Sequence, residues 1–182
     1  DPTVQNAYLK HSHSDADDFY GRAVAIDGNT AVVGAYLEGS AATTINGDAS
    51  DNTASQRGAA FVYFRSGNTW TQQAYLKASV TTARFGSSVA ISGDTIVVGA
   101  ANDSTAGSIA GGAYVFVRSG NTWTEQAFLA ADNPDPADDF GGSGIAIDGD
   151  TIAVGAANED SIATGVSATG SADNSVDRSG AV

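Results

Sequence analysis

The residues best placed to do chemistry are two clusters of carboxylates, Asp15-Ala16-Asp17-Asp18 near the start and Asp132, Asp135, Asp138 and Asp139 in the second half. Acids crowded on one loop repel one another, and a hard cation relieves that repulsion by gathering their oxygens at about 2.3–2.6 Å. Asp15, Asp17, Asp18, Asp135, Asp138 and Asp139 are therefore candidate metal ligands, with calcium as the cation. The competing reading is a solvated acidic loop whose carboxylates accept bonds from nearby backbone N–H groups. Asp17-Asp18-Phe19 aligns with Asp138-Asp139-Phe140, and Ala83-Arg84-Phe85 occupies the same place between them.

Other constellations are poorer. The only histidines are His11 and His13; at i, i+2 on an extended strand their rings would share a face, but without further ligands they read as a surface edge. There is no Cys to act as nucleophile, and nothing singles out a glycosidase pair among the 21 acids. Trp70 and Trp123 lie at repeat-equivalent positions, which assigns them to packing. Asn102-Asp103-Ser104 matches a glycosylation sequon, a short pattern of little weight.

Repeats dictate the elements that must position these residues. Gly28-Asn29-Thr30-Ala31-Val32-Val33-Gly34-Ala35 recurs as Gly93-Asp94-Thr95-Ile96-Val97-Val98-Gly99-Ala100, and again as Gly149-Asp150-Thr151-Ile152-Ala153-Val154-Gly155-Ala156. Arg65-Ser66-Gly67-Asn68-Thr69-Trp70-Thr71 returns as Arg118-Ser119-Gly120-Asn121-Thr122-Trp123-Thr124, and Ala74-Tyr75-Leu76 is echoed by Ala127-Phe128-Leu129 and Ala7-Tyr8-Leu9. In the middle repeat the turn signals predict four strands, 87–92, 95–100, 112–118 and 122–130. Val89 and Ile91 alternate with smaller residues, whereas Ile96-Val97-Val98 is apolar on both faces and must be covered on both. The Gly-Asp and Gly-Asn links predict two-residue hairpin turns with positive φ at the glycine. No stretch has helical periodicity.

Four-stranded antiparallel sheets recurring about every 60 residues and apolar on both faces stack as propeller blades; a β-solenoid is the second choice. The fold class is all-β. The first 18 residues read as the end of a preceding repeat, 19–84 as repeat one, 85–139 as repeat two and 140–182 as an incomplete repeat three, so the reading is a portion of a longer propeller. Gln5–Lys10 matches a fourth strand and Gly180-Ala181-Val182 the opening of a third. Unpaired edges of that kind attract other chains.

Composition narrows the function. Twenty-one acids against eight bases give a formal net charge of -13, which repels nucleic acid and anionic membranes, and no apolar run is long enough for a membrane helix. Absence of Cys and Met suits a secreted bacterial protein.

Phe85-Gly86-Ser87-Ser88-Val89-Ala90-Ile91 followed by Val98-Gly99-Ala100 resembles the FG-GAP repeat of integrin-α-type β-propellers. Phe140-Gly141 with Val154-Gly155-Ala156 repeats the motif, and Phe19-Tyr20-Gly21 with Val33-Gly34-Ala35 gives it with one residue inserted. The trailing aromatic strand resembles a subtype of bacterial surface and secreted proteins. Some repeats of the family carry a calcium loop between the first two strands. Here that link is only Asp27-Gly28-Asn29, Ser92-Gly93-Asp94 or Asp148-Gly149-Asp150, too short to wrap an ion.

The resemblance implies a non-enzymatic extracellular or cell-surface propeller for adhesion or for recognising a protein or glycan, and the unpaired blade edges add other copies of the chain as an expected partner. A filament or sheath subunit and an accessory propeller of a secreted polysaccharide-degrading enzyme are the alternatives. The long segments 36–57 and 157–179, carrying Asp48, Asp51, Glu159, Asp160, Asp173 and Asp177, are the expected ligand-contacting surface, both on one face.

Overall fold

The structure is a computed structural model and describes residues 4–80, 84–106, 109–165 and 174–182. Ala83 and Asp173 lie outside the described residues. The first sheet runs in the order β1 (Tyr20–Asp27), β2 (Thr30–Ala35), β3 (Ala59–Ser66), β4 (Thr69–Leu76), and the second in the order β5 (Phe85–Ser92), β6 (Thr95–Ala100), β7 (Gly112–Ser119), β8 (Thr122–Leu129). A hairpin of β9 (Phe140–Asp148) and β10 (Thr151–Ala156) begins a third sheet. Ala156 and Ala181 exchange both backbone hydrogen bonds, at 2.8 and 2.9 Å, so residues 180–182 do open a third strand.

The tight turns form as their glycines dictate. Gly28, Gly67, Gly93, Gly120 and Gly149 all have φ between 54° and 62°, the left-handed region that glycine enters without steric cost. β3 and β7 each pair with a fourth strand carrying one extra residue: Ala74 faces Val62 while Gln72 faces Tyr63, and Ala127 faces Val115 while Glu125 faces Phe116. Gln73 and Gln126 are the bulged residues.

Each sheet is apolar on both faces because each is sandwiched. Ile96 and Val98 of the second blade pack with Val32, Val62 and Leu76 of the first, whereas Val97, Ala113 and Val115 pack with Val154 and, through partly buried contacts, Ile145, Ile147 and Ile152 of the third. Every blade thus has a leading face toward the next blade and a trailing face toward the previous one.

The blades lock where backbones nearly touch. A Cβ added to Gly34 would overlap the carbonyl oxygen of Gly86, and one added to Gly99 would overlap that of Gly141. The second-strand glycine of one blade therefore meets the Phe-Gly glycine of the next. Hydrogen bonds fasten the same seams: the N–H of Gly93 donates to Asp27 Oδ2 at 2.6 Å and that of Gly149 to Ser92 Oγ at 3.1 Å. Trp123 Nε1 donates to Gln73 Oε1 at 2.9 Å, which confirms packing as the role of that tryptophan; Trp123 is buried and Trp70, on the first blade's trailing side, only half so.

Two expectations are corrected. Tyr20 pairs with Ala35 as Phe85 does with Ala100 and Phe140 with Ala156. Tyr20-Gly21 is therefore the Phe-Gly equivalent and nothing is inserted; the aromatic is required for filling the blade interface, which a tyrosine does equally well. Gln5–Lys10 forms no strand, because among the described residues no third strand lies beside it to take its hydrogen bonds. Leu9 nonetheless packs on the first blade's trailing cluster of Val33, Phe61, Tyr63 and Tyr75, as Leu76 packs on the second blade.

Gly99→Ala and Gly155→Ala test the lock. The first forces two backbones apart, an overpacking cost of about 1–3 kcal/mol, and lowers Tm by several degrees. At Gly155 the nearest atom to an added Cβ is 3.6 Å away, and Tm stays within a degree or so. Equal Tm values for the two variants in thermal denaturation overturn this account.

Candidate functional site

The connections divide by length between the two ends of the blades. One end carries only the two-residue turns. The other gathers the segments before β1, β5 and β9 and the longer connections 36–58, 101–111 and 157–180. The described parts of 36–57 and 157–179 hold no helix or strand, as the sequence predicted; the interior of the latter, 166–173, lies outside the described residues.

The base of each long connection is built the same way. Three residues after the end of the second strand stand Glu38, Asp103 and Glu159, all buried. Each backbone N–H reaches back to the strand end, at Ala35, Ala100 and Ala156, and each carboxylate accepts the N–H two residues on: Ser40 at 3.1 Å, Thr105 at 2.6 Å and Ser161 at 3.0 Å. Each carbonyl then takes the N–H of the glycine that opens the third strand, Gly58, Gly111 or Gly180. A buried acid is stable only when its lone pairs are occupied, and this is how the fold occupies them.

The remaining partners differ between blades. Glu38 accepts Tyr75 Oη at 3.0 Å and pairs with Lys77 Nζ at 2.9 Å. Lys77 also donates to the carbonyls of Ser40 and Gly58, at 3.0 and 2.7 Å. Burial pulls the Lys77 pKa down and the Glu38 carboxylate opposes it. Removing one partner of such a pair leaves a buried charge unmatched. Asp103 accepts Tyr114 Oη at 2.6 Å, and the phenol pKa is raised first by burial.

The two acidic clusters lie beside these bases, and the structure realigns them. Asp18 and Asp138 are the equivalent buried carboxylates. Asp18 Oδ2 accepts the N–H of Asp15 at 2.7 Å, and Asp138 Oδ2 that of Asp135 at 2.8 Å. Asp18 thus aligns with Asp138 and Asp15 with Asp135, one residue away from the sequence-based pairing of Asp17-Asp18-Phe19 with Asp138-Asp139-Phe140. The positive φ of Phe19, Arg84 and Asp139 marks one common position just before the aromatic.

Asp17 is exposed and Asp139 accepts from Ser143 Oγ at 2.7 Å. Burial raises the Asp138 pKa against the bond from Asp135. The backbone oxygens of Asp18 and Asp138 hold the long connections by accepting from Leu37 and Asn158, and Asn52 Nδ2 donates to Asp15 Oδ2. Among the described residues, no group of three or more His, Cys, Asp or Glu side chains is arranged to hold a metal ion.

The structure also moves His11 from the surface edge the sequence suggested to the interior. His11 is 5% exposed, its ring stacked 4.1 Å from Phe61 and tilted 5.1 Å from Tyr20. Among the described residues neither ring nitrogen has a hydrogen-bond partner, and Nε2 lies 3.7 Å from Asp18 Oδ2. His13 is exposed, so the two rings do not share a face. The stacking replaces strand geometry because residues 9–18 fold over the first blade's trailing face as a cap.

Sequence reasoning missed the buried acids as a set. The signal was present: an acid three residues after each Gly-Ala, then Ser or Thr two residues later, in all three copies.

Glycine-locked four-stranded antiparallel sheets stacked face to face define β-propeller blades. The profile of the FG-GAP repeat matches residues 3–63, 70–116 and 123–182, and the chain belongs to the FG-GAP repeat family. The second and third matched units start within the fourth strands β4 and β8, and the first two end within the third strands β3 and β7. No curated protein matches the chain.

Two measurements follow. Burial depresses the His11 pKa while Asp18, and more weakly Asp15, oppose this; His13 and Lys10 add to the depression. The unfolded chain therefore binds the proton first as pH falls below about 6.5, and stability present above that pH is lost as the pH drops through the folded value. His11→Phe keeps the ring stack and removes the titration, so its Tm gain is larger at pH 5 than at pH 8; an equal gain at both refutes the assignment. For the acidic loops, calcium and sodium at matched ionic strength give equal Tm shifts, since the buried carboxylates of Asp18 and Asp138 are each held by a backbone donor; a calcium-specific rise reversed by chelator contradicts this.

Proposed function

We propose that this chain is a non-enzymatic recognition module of an extracellular or cell-surface protein, and that it binds a protein or glycan through the face carrying its long connections. The observation that supports this reading is the division between the two ends. All irregular connections, unequal in length and rich in Ser, Thr, Asn and Asp, lie at one end, on bases stiffened by Glu38, Asp103 and Glu159. Such an arrangement holds variable contact residues on a rigid frame. The acidity of the face favours neutral glycans and basic protein surfaces over anionic polymers. Among the described residues, no helix is long and apolar enough to cross a membrane.

The test is a binding screen of the immobilised chain against neutral glycans and extracellular proteins, followed by Thr44→Ala, Ser50→Ala and Asn52→Ala together. All three are exposed. The expected result is about tenfold or greater loss of affinity for the ligand found, with Tm changed by no more than about 2 °C. Binding that survives this variant and is instead lost on changing the tight-turn end overturns the proposal.

A further inference from the structure

The two seams inside the chain differ at one position, and the difference leaves a cation without an anion. Phe19, Arg84 and Asp139 stand just before the aromatic of each blade, all with positive φ, and Arg22, Ser87 and Gly142 stand two residues after it. At the seam between the second and third blades, a Cβ added to Gly142 would overlap Asp139 Oδ1 and lie 2.8 Å from the Cβ of Ala101. Asp139, Gly142 and the residue following the previous blade's second strand thus converge on one nook. A carboxylate fills it there, and Asp139 Oδ2 accepts from Ser143 Oγ at 2.7 Å.

The repeat places Arg84, Ser87 and Tyr36 in the corresponding nook between the first and second blades. The Ser87 N–H donates to the Arg84 carbonyl at 3.2 Å, closing the same turn that Gly142 closes on Asp139 at 2.9 Å. Here the charge is inverted and nothing answers it. Arg84 Nε and Ser87 Oγ are buried without a hydrogen-bond partner among the described residues, and among them Arg84 makes no ion pair, in a chain of 21 acids. A buried donor without an acceptor is costly. Both residues are only half-buried as a whole, so part of each reaches the surface.

The surroundings suit an acid carried on an apolar ring. Arg57, whose carbonyl accepts the Phe85 N–H at 3.1 Å, brings a second half-buried guanidinium to this seam, also without an ion pair among the described residues. The Tyr36 ring meets Phe19 edge-on with centroids 5.5 Å apart. Tyr36 is half-buried and Phe19 is 53% exposed.

We propose that this nook binds the carboxylate of a uronate in a glycan whose other sugars are neutral. The inference rests on the recognition reading above and specifies its ligand. The carboxylate lies bidentate on the edge of the Arg84 guanidinium that includes Nε, Ser87 Oγ donates a third bond, and Arg57 adds positive charge. The apolar face of the sugar ring packs on Phe19 and Tyr36. The net charge of -13 repels a polymer with an acid on every residue, which favours a single uronate among neutral sugars. An acidic peptide side chain has no ring to lay on the two aromatics.

Isothermal titration calorimetry tests this with two probes, a glucose oligosaccharide carrying one glucuronate and the same oligosaccharide with that carboxyl reduced to the alcohol. The wild-type chain binds the acidic form about tenfold or more tightly than the reduced form. Arg84→Met abolishes the preference, and its Tm stays at or above the wild-type value because the unsatisfied donor is removed with the charge. Ser87→Ala weakens binding of the acidic form and leaves that of the reduced form unchanged.

A fall in Tm in Arg84→Met with the preference intact makes Arg84 structural and overturns the proposal. Equal affinity of the wild-type chain for the two oligosaccharides, or binding of neither, also overturns it; the recognition reading is then decided separately by the combined Thr44→Ala, Ser50→Ala and Asn52→Ala variant. Acetate or an aspartate-containing peptide binding as tightly as the acidic oligosaccharide reveals a general anion site and overturns the uronate assignment.

Discussion

Close backbone approach between neighbouring sheets is the constraint on which the rest depends. Where Gly34 faces Gly86 and Gly99 faces Gly141 there is no room for a Cβ, so the inner strands of adjacent blades sit at one fixed separation. That separation sets how large a side chain fits outward of it: alanine and valine near the seam, then Phe85, Tyr114 and Phe116 further out. The aromatic of the Phe-Gly pair is the first large group beyond the contact, which is why tyrosine can replace phenylalanine at position 20 while glycine must follow it.

The same geometry explains the polar interior. A strand that ends at a seam leaves its connection to start from a crowded, water-poor position, and backbone donors there need acceptors. Glu38, Asp103 and Glu159 supply them from one sequence position, and Asp18 and Asp138 do so one loop away. The described acids on this face range from exposed to buried, and the buried ones serve the frame by accepting backbone N–H groups. The net charge of -13 thus comes from two populations: buried carboxylates that hold the connections in place and exposed ones that set the character of the outer surface.

Much of the fold was legible because it is periodic. Strand limits in the middle repeat were read to within a residue or two at each end, and the hairpin turns came from glycines whose φ values the structure bears out. The failures share a cause. Phe19 precedes Tyr20, both aromatic, and only the pairing of Tyr20 with Ala35 decides which one fills the blade interface; the wrong choice displaced the alignment of Asp15–Asp18 by one. His11 looked polar and peripheral, and is interior because residues 9–18 fold across Phe61.

The sequence by itself determined the strands, the tight turns, the repeat and the residues that must be small, since these follow from local periodicity and from the steric limits of glycine. It also carried the acid-x-Ser/Thr pattern behind each Gly-Ala, though not its meaning. Tertiary structure alone decided which carboxylates are buried and that, among the described residues, no strand pairs with Gln5–Lys10. Burial and pairing depend on what another part of the chain brings into contact, and the identical motifs Tyr8-Leu9-Lys10 and Tyr75-Leu76-Lys77 take different states because, among the described residues, only the second lies beside a third strand and a buried glutamate.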